Sequence, residues 1–397
     1  MKKILYALHF LPWPPVTGGR RVSFSTLREI CKDSEVDLLC FDYEIKAEDV
    51  GKLRQNCPGL KNVFTIPYRR RLRYWLPCMN LVGKSYFLHR DESCEYRQKA
   101  AELAHGGKYD LFFSDSLRVL VNVAEAFSDR PGTVPWVAQF HNVECLLFQR
   151  FLDRRSYLKP LLQLEMELLK RAEIRYWKLP DRAIFISPED HCHAAEMTGN
   201  WPKLAGGFPG EMIVLDPVGW EGGEDGRICH LGTGTWEPNI DGVHWFLEAV
   251  FPAIRRGFPS AVFFHAGKAT DSRLKQFDNG NDINIRGFLP DLTSFYRNAA
   301  VFVAPLRFGS GIKIKVLDAI SRGIPVVLTS VANEGLSLKD GDGVFVADEP
   351  DEFAMKVLML LRDPELRIKQ GQLAFAAANR MAHRSRRKLL FFEDGRM

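Results

Sequence analysis

The sequence predicts an α/β protein of two doubly wound domains, each a parallel sheet with helices on both faces. Three observations carry that expectation. Short apolar runs alternate with longer amphipathic stretches along all 397 residues. Alternation of this kind gives parallel strands joined by right-handed crossovers. It is interrupted once, between 199 and 226, by a stretch punctuated with Pro and Gly, which marks a domain boundary. The apolar fraction of 46% and charged fraction of 26% are those of a globular chain with ample core, which excludes a disordered, collagen-like or coiled-coil protein. The expected organisation is a first domain over 1–210, a second over 211–378, and a basic tail over 379–397 placed to pack back on the first domain.

The first half offers strands at 4–8, 36–40, 63–67, 110–114, 134–140 and 182–186. Helical patterns lie near 20–32, 95–105, 117–127 and 188–198. A long helix opens at Pro160 and ends near Leu179; in it Leu161, Leu164 and Leu168 form one apolar row, and Leu162, Met166 and Leu169 an adjacent one. The second half offers strands at 228–231, 261–266, 283–286, 300–304 and 325–329, with helices near 239–257, 271–277, 291–298 and 312–322. Lys2-Lys3 and the apolar run behind them have the form of a signal peptide, but Pro12, Pro14 and Pro15 follow at once and no small-x-small cleavage site does. A buried first strand is the better reading. No run of about 18 apolar residues exists to span a membrane.

The net charge of +5 is unevenly spread. Residues 68–90 carry +6 and residues 379–397 carry +4, which leaves an acidic body of −5. That pattern argues against an extended nucleic-acid track. In the first basic run Arg69, Arg70, Arg71 and Arg73 are interleaved with Tyr68, Tyr74 and Trp75. Arginines beside aromatics suit the surface of an anionic membrane, or an acceptor attached to it; a solvated basic loop is the alternative. The eight cysteines form no C-x-x-C pair, and in a chain of this length they read as reduced, mostly buried thiols.

Ligands of doubly wound sheets bind beyond the carboxyl ends of strands, which singles out the loops 12–20, 141–144, 232–239 and 305–313. In the last, Gly309 and Gly311 bracket Ser310 before a helix expected from Ile312. Free amides at a helix start, with Lys313 and Lys315 nearby, suit a phosphate. Lys315 and Asp318 are three apart and share a helix face. They hold either a diphosphate and a ribose hydroxyl or simply each other. Gly232 and Gly234 follow a strand without the third glycine of a dinucleotide fingerprint. Gly232 would let a ligand approach the backbone, and Asn239 is a candidate helix cap. Gly18-Gly19 precede Arg20 and Arg21 at another helix start, where cations are disfavoured unless an anion is near. His141 closes a strand at a carboxyl end. His191-Cys192-His193 reads as a surface helix rather than a metal site, and Asp340-Gly341-Asp342 as a turn.

Taken together these runs resemble a GT-B glycosyltransferase of the family 4 type. The carriers are G-T-G-T-W-E-P-N-x-D-G from Gly232, R-G-F-L-P-D-L from Arg286, A-x-V-F-V-A-P-L-R-F-G-S-G-I-K-I-K-V-L-D-A from Ala299, R-G-I-P-V-V from Arg322 and E-G-L at Glu334. The P-P-x-T-G-G and F-H-N-V-E runs agree more loosely. The resemblance implies two Rossmann-like domains facing across a cleft, and transfer of a sugar, with retained configuration, from a nucleotide diphosphate donor. It places the base at Phe288 and Leu289, the diphosphate at Ser310, Gly311, Ile312 and Lys315, the ribose at Asp318, donor or acceptor at Gly18 and Gly19, and the transferred sugar at His141. Many members carry two glutamates eight apart where this chain has Ser310 and Asp318. The implied setting is the cytoplasmic face of a membrane, with a glycan or lipid-linked acceptor in bacterial surface polysaccharide synthesis, no nucleic acid, and no metal or other cofactor. The alternatives are a nucleotide-sugar epimerase on the same fold and an inactive binding protein.

Overall fold

A computed structural model describes residues 1–69, 75–130, 134–206, 219–269 and 271–386, excepting the side chains of 75–77, 161 and 383–386. The chain divides into two compact units, residues 1–212 and 213–397.

The first unit is a seven-stranded parallel sheet. Its strands are β1 (Lys2–Leu8), β2 (Ser34–Asp42), β3 (Leu60–Pro67), β4 (Leu111–Asp115), β5 (Trp136–Phe140), β6 (Arg182–Phe185) and β7 (Leu204–Gly206), in the order β3-β2-β1-β4-β5-β6-β7. The strand order reverses between β1 and β4. The period of two along β1 is literal. Ile4, Tyr6 and Leu8 join one core layer with Leu38 and Phe113, while Leu5 and Ala7 join the opposite layer with Phe41, Trp136, Phe140 and Trp177. The lysine-led N-terminal run is thus a central strand. β5 begins two residues later than expected, after Pro135, whose missing N–H cannot join a ladder.

The second unit is a six-stranded parallel sheet of β8 (Arg227–Leu231), β9 (Val262–Ala266), β10 (Ile283–Ile285), β11 (Val301–Ala304), β12 (Val326–Leu328) and β13 (Val344–Val346), in the order β10-β9-β8-β11-β12-β13. Its order reverses between β8 and β11. β7 and β13 were not expected; each is a three-residue strand at the edge of its sheet with a single buried residue.

Several elements differ from expectation for identifiable reasons. The helix expected over 239–257 is three pieces: Glu237–Trp245, a π-helical stretch Phe246–Val250, and Phe251–Gly257. Pro252 has no N–H to continue the ladder, so the widened turn precedes it. Helix Lys159–Trp177 does not bury the leucine row expected of it. Leu164 is 54% exposed, and the buried stripe is Glu165, Leu169, Glu173 and Trp177. No break falls at 378. Helix Pro364–Arg386 runs through it with Ala374, Ala377, Ala378 and Ala382 buried, and residues 387–397 of the expected tail lie outside the described residues. No described helix is long and apolar enough to cross a membrane.

Candidate functional site

In the first unit the polar residues gather where the strand order reverses. β5 is buried along its whole length and delivers His141 at its carboxyl end. β4 ends in Asp115, which is buried. The two side chains meet, with His141 Nε2 2.5 Å from Asp115 Oδ1. The Tyr6 hydroxyl, from β1, donates to Asp115 Oδ2 at 2.9 Å. Burial alone would raise the Asp115 carboxyl, but His141 and donors from Ser23 and Tyr6 hold it below the usual carboxylate range. Burial alone would lower the imidazole, and Asp115 outweighs it, so His141 is raised. Gly18 and Gly19 open helix Gly18–Asp33, capped by the Thr17 hydroxyl. A Cβ built on Gly19 would stand 3.7 Å from His141 Nδ1 and 3.4 Å from Phe10. The structure therefore brings Gly19 and His141 together. The cost expected for Arg20 at that helix start is eased by Phe10, whose ring centroid lies 5.7 Å from the guanidinium.

His141 is supported from behind. Helix Glu144–Arg154 begins three residues after it and has no side-chain cap of its own. Glu173 supplies one from the long helix, accepting from the amides of Glu144 at 2.8 Å and Cys145 at 2.7 Å. Burial pushes the Glu173 carboxyl up to about 8. Glu165, two turns earlier, accepts from the amides of Tyr86 and Phe87 and from the Ser85 hydroxyl in the same way.

In the second unit the loop after β11 carries Ser310, Gly311 and Ile312, and the following helix, Ile314–Ile320, starts two residues later than expected. Gly311 holds φ +70°, which favours glycine. Lys313 does not point outward. It is buried, and its ammonium donates to the Gly311 carbonyl at 2.7 Å. The Lys315–Asp318 ion pair is absent. The Asp318 carboxylate lies 3.7 Å from Arg322 instead, while Lys315 reaches back across the sheet to β8, where its ammonium donates to Asn239 Oδ1 and sits 3.1 Å from His230 Nε2. His230 Nδ1 in turn lies 2.8 Å from Nδ1 of His265 on β9. Burial, with the Lys315 charge, drives His230 well below the ordinary histidine value and His265 to about 3, so both rings are neutral. Burial, with Lys313 beside it, lowers Lys315 to about 7.

Asn239 is not a cap. It lies inside helix Glu237–Trp245, and its Nδ2 donates to the Thr233 carbonyl at 2.9 Å. The close approach at Gly232 is made by Asn239 itself, since a Cβ there would come within 2.6 Å of Nδ2. Phe288 and Leu289 follow β10, and Phe288 is 55% exposed. Ser310 and Asp318 are both buried. Among the described residues no group of three or more His, Cys, Asp or Glu side chains is placed to hold a metal ion. Asp340 and Asp342 flank Gly341, whose φ of +82° makes the expected turn, and His191, Cys192 and His193 lie on helix Pro188–Thr198. Arg69 is exposed; Arg70, Arg71 and Arg73 lie outside the described residues; Trp75 opens helix Trp75–Leu81. Sequence reasoning missed Tyr6, Asp115, Glu173, His230 and His265. Asp115 alone had a signal, being an acid at a strand's carboxyl end.

Residues 226–363 match the family described as glycosyl transferases group 1. A protein of Klebsiella pneumoniae described as an uncharacterized 44.6 kDa protein in the cps region is 25% identical over 373 residues, covering 90% of each chain. The crystal structure of Anabaena HepE in complex with UDP and glucose superposes over 99% of this chain and 100% of that one, at a TM-score of 0.66 and 14% identity. WaaG, a glycosyltransferase involved in lipopolysaccharide biosynthesis, superposes over 99% and 100% at 0.65 and 11% identity. The chain therefore has the GT-B fold of these structures, and its residues 226–363 are similar to the glycosyl transferases of group 1.

Proposed function

We propose that this chain is a glycosyltransferase and moves a hexose, with retained configuration, from a nucleotide diphosphate donor to a glycan or lipid-linked acceptor in surface polysaccharide synthesis. The cps-region relative, the UDP and glucose bound by HepE, and the lipopolysaccharide role of WaaG support that reading. The observation that carries it is Lys315. Its ammonium stands where the sheet order reverses, behind a glycine-bracketed loop, held by Asn239 and His230.

In this reading the diphosphate takes the amides of Ser310, Gly311 and Ile312 and the ammonium of Lys315. Asp318 takes the ribose, Phe288 and Leu289 the base, Gly18 and Gly19 a donor phosphate or the acceptor, and His141 the transferred sugar. The bond from the anomeric carbon to the diphosphate oxygen breaks, and negative charge builds on that oxygen beside Lys315. The acceptor hydroxyl attacks from the same face and passes its proton to the departing phosphate. The contact with an anionic membrane, or with the acceptor carried on it, is assigned to Arg69, Arg70, Arg71, Arg73 and Trp75. Leu81 and Val82, 85% and 70% exposed at the end of the helix that Trp75 opens, give that reading an apolar contact.

A thermal-shift screen of the whole chain against UDP, GDP, ADP and their glucose conjugates tests the donor. A ligand at a hundredfold its Kd stabilises by about 2.7 kcal/mol, a rise of several degrees. A rise with one base and its sugar, followed by turnover of that sugar nucleotide, is expected. No rise with any of them overturns the donor assignment, and a rise without turnover reduces the chain to a binding protein.

A further inference from the structure

We infer that Asp115 is a positioning residue that keeps His141 a charged hydrogen-bond donor, its Nδ1–H turned to an oxygen of the ligand, and so removes general-base chemistry from this histidine. The inference deepens the proposed function and rests on it for the ligand's identity.

The geometry is one-sided. Asp115 is buried, and its two oxygens are divided, one to His141 Nε2 at 2.5 Å and the other to the Tyr6 hydroxyl at 2.9 Å. Nε2 is therefore committed to the protein interior, which leaves Nδ1 as the working atom. Nδ1 faces Gly19, a residue without a side chain, in the first turn of a helix. The carboxylate is fixed by its backbone as well. Ser116, the next residue, holds φ +77° and ψ 151°, a conformation that residues with a Cβ rarely adopt, and its amide donates to the Gln139 carbonyl at 2.8 Å. Strain of this kind persists where neighbouring structure over-determines the position, here β5 two residues before His141.

The charged and titratable groups around the ring are few. Asp115 comes from β4, with Tyr6 of β1 behind it. Glu144 stands at the start of the following helix, and Arg20 and Arg21 lie in the first turn of helix Gly18–Asp33. Asp115 and Glu144 favour the charged ring, and the depressed Asp115 and raised His141 describe one carboxylate–imidazolium pair. An imidazolium has two donors and no acceptor. It can stabilise an oxygen by a charge-assisted hydrogen bond but cannot take the acceptor's proton. The oxygen is a hydroxyl of the hexose or a phosphate oxygen of the donor; the proposed role of His141 commits it to the hexose.

The test uses the full chain labelled with 15N-histidine, the His141 signals being identified by their loss in His141→Gln. In the wild type both ring nitrogens should carry protons at pH 7. Asp115→Asn should lower the midpoint by about one pH unit or more, and Asp115→Glu should restore part of it. A neutral His141 ring in the wild type at pH 7 overturns the inference without recourse to any variant. So does an unchanged midpoint in a folded Asp115→Asn protein. Affinities for UDP and UDP-glucose separate the two oxygens. His141→Gln should weaken UDP-glucose about tenfold, the scale of one charged hydrogen bond, and leave UDP unchanged; equal weakening of both transfers the contact to phosphate and overturns the hexose assignment. The NMR arm needs no donor, so failure of UDP-glucose to bind counts against the proposed function alone.

Discussion

The Lys315 ammonium and His230 Nε2 stand 3.1 Å apart although 85 positions separate them in the chain. The contact crosses the point where strand order reverses, from the helix after β11 to β8. His230 is neutral and can only accept from the ammonium, so the lysine is held by two acceptors, Asn239 and His230, and by no carboxylate. A cation stabilised so sparingly is open to an incoming anion.

That arrangement predicts proton uptake on donor binding. Lys315 is lowered to about 7 from its ordinary 10.5. At pH 8 much of it is neutral, and a bound diphosphate should recharge it. Calorimetric titration with UDP-glucose at pH 8 in Tris and in HEPES should give enthalpies that differ by close to one proton's worth of buffer ionisation. Identical enthalpies would contradict it. The unliganded protein follows the same linkage. Between about pH 7 and pH 10.5 the unfolded lysine holds a proton the folded one has lost, so this site's contribution to stability rises with pH across that window.

Lys315→Ala should abolish transfer and leave the fold standing. Its side chain is only partly buried. Two acceptors lose a donor, which costs about 1–3 kcal/mol, but the burden of a buried ammonium disappears with it. Melting temperature and UDP-glucose turnover read the two effects separately, and wild-type turnover in the variant would take Lys315 out of the mechanism.

Two glycines should separate packing from chemistry. A Cβ on Gly267 would lie 1.8 Å from the Gly232 carbonyl oxygen, rigid backbone at the ends of β8 and β9. Gly267→Ala should therefore destabilise the chain by about 3 kcal/mol, measured by urea unfolding. A Cβ on Gly232 meets only the Asn239 side chain. Gly232→Ala should displace that amide, leave stability less affected, and raise KM for the donor by loosening Lys315.

Glu173 should distinguish a neutral cap from a charged one. Glu173→Ala strips the acceptor from two buried amides and should cost about 2–4 kcal/mol. Glu173→Gln should cost much less, because burial pushes the native carboxyl up to about 8. With the native value raised, the folded chain holds a proton the unfolded one has lost between about pH 4.5 and pH 8, so wild-type stability should fall as pH rises through that window. The slope should flatten in Glu173→Gln, as read by melting temperature against pH.

Replacing Arg69, Arg70, Arg71 and Arg73 by glutamine should weaken sedimentation with vesicles of anionic phospholipid, and more so at low salt, without changing donor affinity. Unchanged vesicle binding would retire the membrane role of this segment.

The sheets were legible in the sequence because parallel strands buried on both faces leave apolar runs that nothing else in the chain imitates. Eleven of the thirteen strands among the described residues were marked in that way, and the glycine-rich loops behind them located Gly19, Gly232 and Ser310 at carboxyl ends. What stayed hidden was polarity in the interior. Glu165, Glu173, Asp115, His230 and His265 are buried, and a one-dimensional pattern assigns such residues to solvent. Each is buried because distant polar groups satisfy it, and partners 24 to 109 positions away leave no local trace. The same blindness produced the mistaken leucine row on Lys159–Trp177 and left the partners of Lys315 and Asp318 open.

The stripe Glu165–Leu169–Glu173–Trp177 has a mechanical consequence. One helix grips the openings of two others, at Tyr86–His89 and Glu144–Arg154, through carboxyl groups two turns apart. If that helix frays, both openings lose their acceptors together, and the segment bearing His141 is released with them. Opening of this region is then one cooperative event, and the amide protons of Tyr86, Phe87, Glu144 and Cys145 exchange with a common opening free energy.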